Sequence, residues 1–134
     1  MWPNLRLTSE ETRQLEVILD SLSRRAQRRL SLHGLMKKWS RFVEQVEHGY
    51  GLSIYEYTND LSVRCVLEDI LLAVPQSLRE RLAAELEAWD SRFREATLES
   101  ERPLFSPASL PSHWWAFRIP RKIEGELKTD LQTG

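Results

Sequence analysis

The residues of this 134-residue chain that could carry chemistry are few and far apart. Its histidines, His33, His48 and His113, and its one cysteine, Cys65, are the natural soft or borderline metal ligands, and no two stand at ligand spacing. A di-metal site in a helical bundle would need Glu-x-x-His motifs on facing helices, and the sequence holds none. Five glycines form neither a phosphate loop nor a nucleophile elbow around a serine. Cys65 lies amid Val63, Val66 and Leu67, an apolar setting that raises a thiol pKa and quiets it. His48, beside Gly49, reads as a cation at a helix C-terminus. No catalytic residue, metal ligand or cofactor-binding residue is expected.

Charged spacing is more informative. Asp60, Arg64 and Glu68 form an i, i+4, i+8 ladder, and Asp90 with Arg94 repeats the step. Inside a bundle such a ladder must be paired, so it reads first as a structural ion network and second as a recognition stripe. Residues 21–43 carry Arg24, Arg25, Arg28, Arg29, Lys37, Lys38 and Arg41 with no acid, whereas residues 44–101 carry thirteen acids and five bases. This polarity offers two binding faces. An acidic face, with Glu80, Glu87, Asp90 and Glu95 as partner-binding residues, suits capture of a basic protein. A basic patch of Arg24, Arg25, Arg28 and Arg29 suits phosphate groups. No aromatic platform interleaves that patch, and no DNA-binding motif accompanies it.

The elements that must position these groups are helical. Ser/Thr-x-x-Glu boxes at Thr8/Glu11, Ser53/Glu56 and Ser77/Glu80 precede apolar runs of helical period. The spacing predicts helices over 8–30, 35–48, 54–73 and 77–98. The first carries Leu15, Ile18, Leu19, Leu22 and Ala26 on one stripe, and the second Leu35, Met36, Trp39, Phe42, Val43 and Val46. Gly34 is the expected left-handed break between them, and Gly49 and Gly51 end the second. The third is apolar on two sides, with Ile54, Tyr57, Leu61, Cys65 and Leu72 on one and Val63, Val66, Leu67, Ile70 and Leu71 on the other. Such a helix belongs at the centre of a bundle. Leu78, Leu82, Leu86, Trp89, Phe93 and Ala96 give the fourth a nearly coiled-coil seam. Short connections make successive helices antiparallel neighbours.

Residues 102–122 read as an extended arm. Alternation would set Trp115, Phe117 and Ile119 against the bundle, leaving Trp114 and Arg118 toward solvent or a partner. Ile123, Leu127 and Leu131 suggest a short fifth helix. The fold class is therefore all-α: one domain of four main helices strapped by an aromatic arm.

Net charge of -1 exerts no global pull toward nucleic acid or anionic membrane. The longest apolar run, Ile70 to Val74, is far short of the ~20 residues of a membrane span. The N-terminal MWPNLRLTSEE lacks a signal-peptide apolar region, so a cytoplasmic location is expected.

Asn59-Asp60, Arg64, Asp90, Phe93, Thr97 and Trp114-Trp115, within YEYTNDLSVRCVLEDIL, AWDSRFREAT and WWAFRIP, resemble positions in small bacterial helical proteins. Some of these are immunity proteins of polymorphic or contact-dependent growth inhibition toxin systems. The resemblance covers roughly residues 35–122 and implies a non-enzymatic protein that binds and blocks one cognate toxin domain. The alternative is a nucleic-acid-associated regulator using the basic segment 24–41.

Overall fold

Three of the four helices begin where a side chain offers an acceptor for the orphan amides. Thr8 accepts from Glu11 N–H while the Glu11 carboxylate accepts from Thr8 N–H, closing a capping box. Ser31 caps the second helix through Gly34 N–H, and Ser53 caps the third through Glu56 N–H. In a computed structural model, which describes residues 6–51, 53–100 and 114–122, the helices are α1 (Ser9–Ala26), α2 (Leu32–His48), α3 (Ile54–Ala73) and α4 (Gln76–Glu95). The fold is an all-α four-helix bundle with one small accessory sheet.

Helix boundaries differ from expectation at the end of α1, the start of α2 and both ends of α4. α1 ends four residues early, because Gln27 (φ 57°) turns left-handed and carries the cap. Gly34 is not a break but sits in the first turn of α2, where a Cβ would lie 2.9 Å from Ser31 Oγ. The cap hydroxyl folds over this residue and accepts from its N–H at 3.0 Å. α4 starts at Gln76 behind Pro75 with no side-chain cap. Ser77 instead donates to Glu11 Oε2 at 2.8 Å, and Arg81 also donates to that carboxylate. Glu11 thus closes its own helix and ties the starts of α1 and α4 together.

α3 touches every other helix and the residue 114–117 segment, as a helix apolar on both sides must. Tyr57, Leu61, Leu67 and Ile70 are fully buried. α1 lies chiefly against α3 and not against its chain neighbour α2, contrary to the antiparallel-neighbour expectation. Ala26 and Leu72, assigned to apolar faces by spacing, are exposed.

The arm is not extended where it meets the bundle. Trp114–Phe117 form a single 3-10 turn, so the consecutive residues Trp115 and Ala116 are both buried, and strict alternation fails. Only then does the chain straighten into β2 (Arg118–Pro120), which pairs antiparallel with β1 (Thr97–Glu99). β1 occupies residues expected at the frayed end of α4. Residues 102–113 of the arm and the proposed fifth helix lie outside the described residues.

Two outcomes follow. The hydrogen bonds from Arg81, Thr8 and Ser77 lower the Glu11 pKa from its ordinary 4.5 to about 2. The stability this contributes is present above pH 4.5 and is lost as pH falls toward 2. Urea midpoints should fall across that window, and Glu11→Gln should flatten the fall. Trp115→Ala, which empties a fully buried site, should reduce unfolding free energy by about 3–5 kcal/mol; a loss below 1 kcal/mol would show that the turn is not part of the core.

Candidate functional site

Interior and surface charge are arranged in opposite ways. In the interior, the Arg64 guanidinium clasps Asp90 with two bonds, Nε to Oδ1 at 3.1 Å and Nη2 to Oδ2 at 2.9 Å. Its Nη1 donates to Glu68 at 3.0 Å, and Trp39 Nε1 donates to Asp90 Oδ1 at 3.0 Å. The Trp115 ring lies under the guanidinium, 4.6 Å from centroid to Cζ. Arg64 and Asp90 are 4% and 3% exposed. Each guanidinium nitrogen and each carboxylate oxygen of this pair has a hydrogen-bond partner within the fold, as a buried pair requires.

The expected ladder is therefore half right. Arg64 and Glu68 pair, but Asp60 turns away and accepts from Tyr50 Oη at 2.8 Å. Asp90 does not pair with Arg94. It faces α3, while Arg94 bonds Glu87 and covers the Trp114 ring at 4.1 Å. Arg118 is not turned to a partner either. It donates to Thr97 Oγ1 at 2.6 Å and to the carbonyls of Arg94 and Thr97 at 3.1 Å, sealing the C-terminal end of α4. Trp114 is half-buried beside Phe93. Asp90, Trp114 and Arg118 are thus engaged within the fold. Glu80, Glu87 and Glu95 remain exposed.

At the surface the basic segment behaves differently. Arg29 pairs with Asp20 at 2.7 Å. Arg24, Arg25, Arg28, Lys37, Lys38 and Arg41 are exposed and have no ion-pair partner among the described residues. Three of them, Arg28, Lys38 and Arg41, rim a cleft of about 240 Å³. Its walls include Gln45, Asn59 and Asp60, and its floor Phe42 and Val63. Asp60 is half-buried; loss of water raises its pKa, which the Tyr50 hydroxyl and Lys38 partly offset. The cleft is the candidate binding site: a cationic rim around one oriented carboxylate.

No family model, curated protein or solved structure matches this chain. The residues named for the expected resemblance fall in three places. Asn59-Asp60 wall the cleft. Arg64, Asp90, Phe93 and Trp115 are core, with Thr97 and Trp114 at the arm junction.

Sequence reasoning missed the cleft although it singled out Arg28, Lys38 and Arg41 as charge. The signal was the 3, 4 spacing of residues 38, 41 and 45, which puts them on one ridge of α2. What spacing alone could not give was the facing wall from α3. Among the described residues, no group of three or more metal-ligating side chains comes together. Cys65, half-buried, accepts from Trp115 Nε1–H at 3.3 Å, and burial pushes its thiol pKa up.

Arg64→Met should lower unfolding free energy by about 3–5 kcal/mol, because it strands the Asp90 carboxylate. Arg64→Met with Asp90→Leu should lower it by less. A double variant as unstable as the single one, measured in urea, would mean that the pair itself and not the stranded charge is what matters.

Proposed function

We propose that this protein is a non-enzymatic binding module that acts by covering a protein partner. In its most concrete form it is an immunity protein that occludes a cognate toxin domain. The single observation that carries the reading is the set of six exposed cations with no ion-pair partner among the described residues, three of which, Arg28, Lys38 and Arg41, rim the cleft between α2 and α3. Elsewhere most of the described arginines are engaged within the fold, among them Arg92 with Glu47, Arg94 with Glu87, Arg81 with Glu11 and Arg64 with Asp90. Unpaired cations gathered on one side steer an acidic partner and raise its association rate. The contact is accordingly assigned to the basic side. On α4, Glu80, Glu87 and Glu95 are interleaved with Arg79, Arg81, Arg92 and Arg94, so that helix presents a mixed field.

The same cations support a second reading, a nucleic-acid-associated regulator. Asp60 weighs against it: the free oxygens of a phosphodiester are acceptors only, and would meet a carboxylate on the wall of the cleft.

Growth protection tests the two. When a toxin domain whose toxicity this protein suppresses is co-produced with it, Arg28→Glu/Lys38→Glu/Arg41→Glu should abolish protection and Glu80→Lys/Glu87→Lys/Glu95→Lys should preserve it. Loss of protection only in the second variant would move the contact to α4. Retention of duplex DNA with a log-affinity against log-salt slope near roughly -5, as six phosphate contacts imply, together with no effect of either variant on growth, would favour the regulator.

A further inference from the structure

We infer that the cleft is a pocket for one acidic residue on an exposed loop of the partner, which it holds by two groups at once. This deepens the protein-binding reading and rests on it. The side-chain carboxylate sits among Arg28, Lys38 and Arg41, and the same residue's backbone N–H is accepted by Asp60.

Three features point to this occupant. The first is charge. Three cations and one carboxylate line the cleft, leaving an excess of positive charge that an incoming carboxylate offsets. Arg28 arrives from beyond the end of α1 and the other two from α2, so the anion is approached from two elements. The second is the placement of Asp60. Its Oδ2 accepts from Tyr50 Oη, and Tyr50 is fully buried, packed edge-on against Tyr57 at 5.1 Å and Phe42 at 5.7 Å. The hydroxyl is thereby fixed and in turn fixes the carboxylate. Its Oδ1 accepts no hydrogen bond among the described residues. An oriented acceptor inside a cationic rim calls for a ligand that is an anion and carries a donor. A peptide acid with its own N–H meets both demands; a phosphate oxygen meets only the first. The third is size and lining. At about 240 Å³ the cleft is below the ~300–1,000 Å³ of ordinary ligand pockets, and suits a side chain better than a cofactor. Phe42 and Val63 give its methylenes an apolar floor, while the Gln45 and Asn59 amides can donate to the carboxylate.

The test uses the full chain and three probes: acetyl-Gly-Glu-Gly-amide, its analogue in which the glutamate N–H is an ester oxygen, and dimethyl phosphate, an anion that carries no hydrogen-bond donor. Binding is read from the side-chain amide resonances of Gln45 and Asn59. The peptide should shift both saturably, Lys38→Glu/Arg41→Glu should weaken it by about tenfold or more, and the ester should bind several-fold more weakly than the peptide. The absence of a saturable shift, an ester that binds as tightly as the peptide, or dimethyl phosphate binding more tightly than either would overturn the inference. The two levels separate cleanly. Peptide binding with growth protection indifferent to the cleft would leave the pocket and remove the immunity reading. Protection that depends on the cleft without peptide binding would remove the pocket alone.

Discussion

The bundle depends on keeping one guanidinium ion in its interior. Arg64 sits on the helix that touches all the others, and its neighbours are chosen to meet it: Asp90 from α4, Glu68 one turn along, Trp39 to hold Asp90, and Trp115 below the plane. A buried ion pair stabilises little by itself, because desolvation offsets most of the attraction. Its consequence is geometric. α2, α4 and the 114–117 turn must each reach Arg64 in register, or a charge is left stranded. That requirement explains why the arm closes as a 3-10 turn: only a tight turn delivers Trp115 over Arg64 while β2 still pairs with β1.

The arm is then sealed by polar contacts, beyond simple apolar adhesion. Tyr57 Oη donates to the Arg118 carbonyl, Tyr50 N–H to the Lys122 carbonyl, and Arg121 N–H to the Ala96 carbonyl. Arg118 closes the end of α4 from the other side. Burial lowers the Arg118 pKa, with Glu99 opposing; the guanidinium is held by oxygens it would otherwise have to share with water. These contacts draw the cations of the C-terminal half into the fold. The cations at the α1–α2 junction make no such contacts among the described residues and stay exposed, Arg24 and Arg25 standing in the last turn of α1 where a positive charge suits the helix dipole.

Much of the fold was legible in sequence because helical period and hydroxyl caps are local properties. The cores of α2 and α3, the Thr8 box and the stop at Gly49 all follow from neighbours within four residues. What failed was decided across the molecule. Nothing local says that Ser77 will donate to Glu11 and not cap its own helix. Asp90 could pair with Arg94 by spacing, yet the buried Arg64 offers a bidentate partner and wins. Alternation put Trp114 and Arg118 outward because it assumed a strand where a turn is required. The cleft was legible in half: its cations stood out by composition, but the facing Asn59, Asp60 and Val63 needed the packing of α3 on α2.

The central claim is that charge in this protein divides into groups satisfied within the fold and groups left for a partner. Hydrogen exchange of the arginine Nε–H groups, followed by NMR on the isolated protein, tests that division directly. Arg64 and Arg118 should exchange as slowly as core amides, and Arg24, Arg25, Arg28 and Arg41 at the rate of free arginine. Rapid exchange at Arg64, or protection at the α1–α2 arginines without any partner added, would contradict the account.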